Sequence, residues 1–242
     1  MNPNIVIDPK TYCTSCNSYV DPFAIIERVK YVEPKKKIFG IGFSKTGTTS
    51  FEQFFESLGY RVCRGRWNNH MTNYLCALHC NNDVENILDT TKYFDAFFDA
   101  PWGGTELYKT LAFTYPEALF LCSRRSVESW FRSFRNMYLG LDSNPMTAVD
   151  TMKSIGAFGN YIFFTKLFDS KDFLNEKDKV CHIYEQYYTE VDRFFATDEM
   201  RGRILNISIF DDTDIEGKTC RFLGRDVPLG VSFPHKNKAM IQ

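Results

Sequence analysis

The sequence lacks the long apolar segments that anchor or export a protein. It contains no run of about 18 apolar residues, and its first ten residues show no signal-peptide core. It also lacks an excess of either charge, since 29 Lys and Arg residues face 30 Asp and Glu residues, for a formal net charge of −1. No global field therefore attracts nucleic acid or an anionic membrane, and any anion site must be local. These absences predict a cytoplasmic protein without nucleic-acid or membrane partners.

Histidine is scarce, and the metal-binding patterns are incomplete. The four histidines form no pair at the spacing of a metal site or a catalytic triad. Cys13 and Cys16 have the spacing of a metal or redox pair, to which Cys76, His79 and Cys80 can add ligands. No second Cys-x-x-Cys segment accompanies them, so a structural zinc, a disulfide and ordinary thiols all stay open. The sequence also has no acidic cluster suited to holding Mg²⁺.

The composition that is present is that of a globular domain. Hydrophobic residues make up 44% of the chain and charged residues 24%, and 242 residues suffice for one α/β domain with a sizeable core. Residues 1–36 are polar and irregular, which predicts an N-terminal arm, and residues 37–242 are assigned to a single domain. No internal repeat or linker divides this domain, and nothing in the sequence specifies an oligomeric state.

Short apolar runs alternate with amphipathic patterns along the domain. The expected strands lie at 37–43, 60–63, 93–100, 118–123 and 203–210. The expected helices lie at 48–58, 106–114, 127–138, 180–195 and 217–223, with partly helical structure in 64–90. Thr48 or Thr49 is expected to cap the first helix. This alternation predicts the α/β class, with a central parallel β-sheet flanked by helices.

The strongest chemical signal is the segment Gly42-Phe-Ser-Lys-Thr-Gly-Thr-Thr49, between an expected strand and an expected helix. Glycine allows a tight turn with inward-facing N–H groups, and the helix N-terminus adds partial positive charge. Both features suit a phosphate. A nucleotide triphosphatase needs lysine directly after the second glycine, whereas Thr48 has that place and Lys45 precedes Gly47 by two residues. The segment therefore predicts a phosphate site that lacks the usual γ-phosphate lysine.

Two further segments carry charged residues at the ends of expected strands. Arg124 and Arg125 follow the fourth expected strand, and a guanidinium suits bidentate contact with phosphate. Either arginine can make that contact. Asp99 lies at the end of the third expected strand, and Asp95, inside the same strand, is the alternative carboxylate.

Together these segments resemble the sulfotransferases that use 3'-phosphoadenosine-5'-phosphosulfate (PAPS). The sequence KTGTT behind an apolar strand is similar to their 5'-phosphosulfate loop, with Ser44 where proline is usual. Arg125 and Ser133, eight residues apart, have the spacing of the pair that binds the 3'-phosphate in this family, with Ser-Val in place of the usual Asp-Pro or Asn-Pro. Asp99-Ala-Pro-Trp looks like the D-x-P-W segment that carries the catalytic base in one branch.

The C-terminal part carries a further match to the same branch. Residues 218–224 and 233–237 are similar to its closing segments, so the matches together run from Lys37 to Asn237. The family has basic residues near the C-terminus that close over the 3'-phosphate. Lys236 or Lys238 is expected to do so here.

The resemblance implies an enzyme that transfers the sulfuryl group of PAPS to a small-molecule acceptor and releases adenosine 3',5'-bisphosphate, with no metal required. Asp99 is then the general base, made a stronger base by Phe98 and Trp102 if they exclude water from it. Arg125 and Ser133 bind the 3'-phosphate, and Lys45 stabilises the leaving group. The residues implied for the 5'-phosphosulfate are Ser44, Lys45, Thr46, Gly47, Thr48 and Thr49.

Two rival interpretations stay open. A small-molecule kinase with a degenerate nucleotide loop would use Asp99 to hold Mg²⁺, but the missing lysine argues against it. A non-catalytic binding module on the same fold needs a broken motif, whereas Lys45, Asp99, Arg125 and Ser133 are all present. For a sulfotransferase, the family's acceptors include small alcohols, phenols, amines and sugars. The segments expected near the acceptor are 64–90 and 138–170.

Overall fold

The computed structural model describes residues 36–63, 68–139 and 158–234. Of the predicted N-terminal arm it describes only residue 36, so the division into 1–36 and 37–242 stays a prediction. Cys13, Cys16 and the C-terminal lysines Lys236 and Lys238 lie outside the described residues.

A parallel β-sheet organises the described chain. Its strands are β1 (Ile38–Gly40), β2 (Ala96–Phe97), β3 (Leu119–Ser123) and β4 (Ile204–Ile207). Their order across the sheet is β2-β1-β3-β4, and each pair of neighbours is parallel. The α/β class with a central parallel sheet is confirmed. Since all four strands point the same way, the loops after them share one edge of the sheet, where ligands bind in open α/β folds.

Eight helices accompany the sheet in the described part of the chain. They are α1 (Thr48–Ser57), α2 (Asn68–Cys80), α3 (Val84–Thr91), α4 (Leu107–Thr114), α5 (Val127–Leu139), α6 (Phe158–Leu167), α7 (Lys177–Phe195) and α8 (Ile215–Phe222). No helix among these residues is long and apolar enough to cross a membrane.

The chain divides into two compact units. Among the described residues, the first comprises 68–93, 127–139 and 158–187, and the second comprises 36–63, 94–126 and 188–234. The second unit contains the whole sheet. The helix α7 contributes its first residues to one unit and its last to the other.

In the second unit, side chains cover both faces of the sheet. On one face, three phenylalanines of α1 pack with strand residues and with α8; they are Phe51, Phe54 and Phe55. On the other face the ring centroid of Phe39 lies 4.8 Å from that of Phe97 and 5.7 Å from that of Phe120. Because successive strand residues point to opposite faces, a sheet covered on both sides produces continuous apolar strands. Burial on both faces explains why the predicted strands are continuous runs of apolar residues.

In the first unit, aromatic rings supply much of the core. The ring of Trp130 stacks on that of Tyr184 with their centroids 4.1 Å apart, and the ring centroids of Phe134 and Phe164 lie 5.0 Å apart. Phe168 and other phenylalanines surround this pair and are fully or almost fully buried. These rings fill the core of the first unit, which accounts for some of the 23 phenylalanines of the chain.

Several element boundaries differ from the prediction. The run at 93–100 forms only the two-residue strand β2, and in 60–63 only Val62 forms a bridge, to Ala96. A run of apolar residues shows which residues are buried, and not which of them form hydrogen bonds to a neighbouring strand. Such runs therefore overestimate the length of a strand. The expectation that Thr48 or Thr49 caps α1 is wrong, because Gly47 is the N-cap residue and no side chain makes a capping hydrogen bond.

Candidate active site

The loop between β1 and α1, residues 41–47, is anchored by the hydroxyl group of Thr46. The Thr46 hydroxyl donates to the Phe43 carbonyl at 2.6 Å and lies 2.6 Å from the Ser123 hydroxyl at the end of β3. Lys45 and Gly47 both have left-handed backbones, with φ of 73° and 103°. Such a conformation is uncommon for a residue other than glycine, so the loop is held by its surroundings rather than by local preference.

The N-terminus of α1 faces the end of this loop without a side-chain cap. The amide of Ser50 donates to the Gly47 carbonyl at 3.0 Å, which begins the helix. The first turn of a helix carries N–H groups with no intrahelical partner and partial positive charge. An anion can therefore take the place of the missing cap.

The loop after β2, residues 99–105, packs against the start of the β1–α1 loop. A Cβ atom added to Gly103 would lie 1.9 Å from the Gly42 carbonyl oxygen, and one added to Gly42 would lie 2.1 Å from the Ser123 hydroxyl. The Gly103 amide donates to the Asp99 carbonyl at 3.0 Å. Only glycine fits at these two positions, which brings the ends of β1, β2 and β3 together.

The carboxylate of Asp99 is bonded to the β1–α1 loop. The Ser44 hydroxyl and the Ala100 amide both donate to its Oδ1, the amide at 2.9 Å, and the Thr48 hydroxyl lies 3.4 Å from its Oδ2. Asp99 is buried and has a left-handed backbone with φ of 66°. The structure thus brings the predicted base beside two of the predicted phosphate-loop residues.

The aromatic neighbours of Asp99 in sequence belong to the core. The Phe98 ring lies 5.2 Å from that of Phe55, and the Trp102 ring lies 4.8 Å from that of Phe97. Hydroxyl and amide groups form the hydrogen bonds described for the carboxylate. Desolvation of Asp99 by these two rings therefore stays a prediction.

The two arginines after β3 have different surroundings. Arg124 makes a bidentate ion pair with Asp192, with Nη1 3.0 Å from Oδ2, and its Nε donates to the Asn206 side chain at 3.1 Å. Arg125 instead lies at the β1–α1 loop, where its Nη1 is 3.4 Å from the Lys45 carbonyl oxygen. Its guanidinium stacks on the half-exposed Phe210 ring at 4.1 Å. Of the two, Arg125 is the one next to the loop.

A tyrosine of α7 joins the β1–α1 loop to β3. The Tyr188 hydroxyl donates to the Ser123 carbonyl at 2.8 Å and accepts from the Phe43 amide at 3.1 Å. All three residues are buried. One hydroxyl therefore satisfies a backbone amide of the β1–α1 loop and a backbone carbonyl at the end of β3.

The alternative carboxylate, Asp95, has a structural role. It precedes β2, whereas Asp99 follows it, so the two lie at opposite ends of the strand. Asp95 forms a bidentate pair with Arg61, with Oδ1 2.7 Å from Nη2 and Oδ2 2.9 Å from Nε. A carboxylate so paired and 1% exposed is a poor candidate for a base.

Ser133, the second residue predicted for the 3'-phosphate, lies half-buried on α5 in the first unit. Its pairing with Arg125 stays a prediction.

Burial shifts the pKa values of two side chains of α2, His79 and Cys80. Burial, with a smaller contribution from Lys166, lowers the pKa of His79 to about 4. Burial raises the pKa of Cys80 to about 11, although the nearby Lys166 opposes the shift. Among the described residues no three His, Cys, Asp or Glu side chains form a metal-ligand group. Since Cys13 and Cys16 lie outside those residues, the zinc alternative stays open.

Sequence reasoning missed three residues that build this site: Ser123, Gly103 and Tyr188. The glycine pair after Trp102 was a signal for close backbone contact, and Ser123 ends a strand directly before the twin arginines. Tyr188 carried no separate signal, because its helical spacing is that of any core residue of α7.

A family model described as a sulfotransferase domain matches residues 37–240. No curated protein matches the sequence.

Proposed function

Because the chain belongs to the sulfotransferase domain family, we propose that its domain, residues 37–242, transfers the sulfuryl group of PAPS to a hydroxyl or amine of a small-molecule acceptor. The observation that carries the proposal is the hydrogen bonding of Asp99 to Ser44 and Thr48. It joins a carboxylate able to accept a proton to a loop suited to a phosphate. Both groups are needed for transfer.

The residues of the β1–α1 loop fit the 5'-phosphosulfate of the donor. The uncapped N-terminus of α1 supplies N–H groups and partial positive charge, and Lys45 supplies a full charge. The proposed ligands are the residues Ser44, Lys45, Thr46, Gly47, Thr48 and Thr49. Arg125, next to the loop, is the proposed partner of the 3'-phosphate, together with Ser133.

The proposed reaction is an in-line displacement at sulfur. Asp99 accepts the proton of the acceptor while the new bond from the acceptor oxygen or nitrogen to sulfur forms. The bond between sulfur and the bridging oxygen breaks, and its electron pair stays on the 5'-phosphate of adenosine 3',5'-bisphosphate. Lys45 stabilises the charge that grows on this oxygen. Since the leaving phosphate carries less charge than a triphosphate, Lys45 and the α1 N-terminus suffice without a metal ion.

A binding experiment separates this function from the kinase alternative. We expect adenosine 3',5'-bisphosphate to raise the thermal unfolding temperature, because a ligand that binds only the folded state stabilises it. Mg·ATP at the same concentration should leave it unchanged. A shift with Mg·ATP and none with adenosine 3',5'-bisphosphate would favour the kinase.

Transfer itself is tested with ³⁵S-labelled PAPS and a panel of alcohols, phenols, amines and sugars. A carboxylate base favours cationic acceptors by charge pairing, so we expect amines to rank above neutral phenols. Binding of adenosine 3',5'-bisphosphate without transfer to any acceptor or to water would indicate a non-catalytic binding module.

A further inference from the structure

The side chain of Ser44 has a contact that its place in a phosphate loop does not require. Loops of this kind bind phosphate through backbone N–H groups. Ser44 is 8% exposed, and its hydroxyl donates to Oδ1 of Asp99, a residue 55 positions later in the chain. We infer that Ser44 is a positioning residue, whose hydroxyl holds the Asp99 carboxylate in place for proton transfer. This inference rests on the proposed function.

The geometry around Oδ1 supports a positioning role. Two donors meet at this oxygen, the Ser44 hydroxyl from the β1–α1 loop and the Ala100 amide from the loop after β2. The Ala100 amide adjoins Asp99 in the chain and fixes the carboxylate relative to its own backbone. Ser44 fixes the same oxygen relative to the phosphate loop. Thr48 is 3.4 Å from Oδ2, which is a weaker contact.

The role matters because a base must be placed accurately to accelerate a reaction. A small misplacement of a reacting group is enough to lower the rate strongly. The backbone of Asp99 is left-handed, with φ of 66°, so its position is held by neighbours rather than by local preference. Removing the Ser44 hydroxyl therefore removes a donor to Oδ1, and leaves the loop backbone able to bind the nucleotide.

The test compares Ser44→Ala with the conservative Ser44→Thr, which keeps a hydroxyl. Turnover is measured as release of ³⁵S-sulfate from saturating labelled PAPS with water as acceptor, and affinity as calorimetric binding of adenosine 3',5'-bisphosphate. We expect Ser44→Ala to lower turnover by about 10-fold or more, the factor for one hydrogen bond to a charged group, with affinity changed less than about 2-fold. Ser44→Thr should restore most of the rate.

A matched control is Ser57→Ala, which removes a hydroxyl of α1 that donates to the Phe54 carbonyl and should leave turnover unchanged. In the Asp99→Asn background, Ser44→Ala should cause no further loss, because both act through one group. The inference is overturned if Ser44→Ala keeps wild-type turnover, lowers affinity as much as turnover, or adds its full effect to Asp99→Asn.

A spectroscopic measurement needs no activity. In protein labelled with ¹³C-aspartate, the Asp99 carboxyl signal is the one missing from Asp99→Asn. It should move in Ser44→Ala and stay near its wild-type position in Ser44→Thr. An unmoved signal contradicts the hydrogen bond itself. If the signal moves but wild-type protein neither binds adenosine 3',5'-bisphosphate nor releases sulfate, the proposed function fails while the contact stands.

Discussion

Replacing Tyr188 by phenylalanine removes one hydroxyl and leaves two buried backbone groups to find new partners. In the native structure this hydroxyl is 2.8 Å from the Ser123 carbonyl oxygen and 3.1 Å from the Phe43 amide nitrogen. A buried polar group left without a partner costs about 1–3 kcal/mol. Allowing for partial relaxation of the two groups, we expect the free energy of unfolding to fall by about 2–4 kcal/mol. For a chain of this size that is a decrease in Tm of roughly 4–16 °C.

The assay is urea unfolding followed by tryptophan fluorescence, with Tyr93→Phe as the control because Tyr93 is 36% exposed. The affinity for adenosine 3',5'-bisphosphate should also fall, since the released Phe43 amide lies in the β1–α1 loop, directly before the proposed ligand Ser44. A Tyr188→Phe protein within about 0.5 kcal/mol of Tyr93→Phe, the scale of an ordinary surface substitution, would refute the reasoning.

Four further predictions concern the proposed chemistry and stability. Asp99→Asn should lower turnover by about 10²–10⁴ with little change in nucleotide affinity, and a variant that keeps more than about a tenth of the rate would place the base elsewhere. Lys45→Ala should lower kcat by about 10²–10³, whereas a raised KM alone would make Lys45 a simple ligand. Arg125→Ala should weaken PAPS binding by about 1.5–3 kcal/mol, and equal losses for adenosine 5'-phosphosulfate, which lacks the 3'-phosphate, would contradict its role. Because burial lowers the pKa of His79 from 6.5 to about 4, the unfolded state takes up a proton first as pH falls. His79 should therefore lower the free energy of unfolding by roughly 2 kcal/mol between pH 7 and pH 5, measured as the difference in urea unfolding between the wild type and His79→Leu, which lacks this contribution.

The local order of elements around the candidate site could be predicted from the sequence alone. A glycine-bounded apolar run, a loop with Lys45 and Gly47, and a helix with phenylalanines on one face predicted strand, loop and helix in that order. The structure has β1 end at Gly40 and α1 begin at Thr48. Spacing and periodicity are properties of short segments, so they can be interpreted without knowledge of the rest of the chain.

Strand length and helix capping could not be predicted from such local patterns. The run at 93–100 was expected to be one strand, but only Ala96 and Phe97 pair in the sheet. Apolar residues are buried both inside a ladder and just beyond it, so hydrophobicity cannot mark where hydrogen bonding stops. Gly47 is the N-cap residue because the loop requires a φ of 103° at this position, and threonine rarely adopts such a value.

The roles of individual polar residues depended on contacts between distant segments. Asp95 and Asp99 lie in the same apolar run, yet one pairs with Arg61 and the other with Ser44. The distinction follows from which end of β2 each residue occupies and from what the neighbouring strands present there. The sequence alone determined which chemical groups the chain carries and near which strand ends. Only the tertiary structure decided which of them meet, because a hydrogen bond requires two groups within about 3 Å and spacing along the chain does not determine that distance.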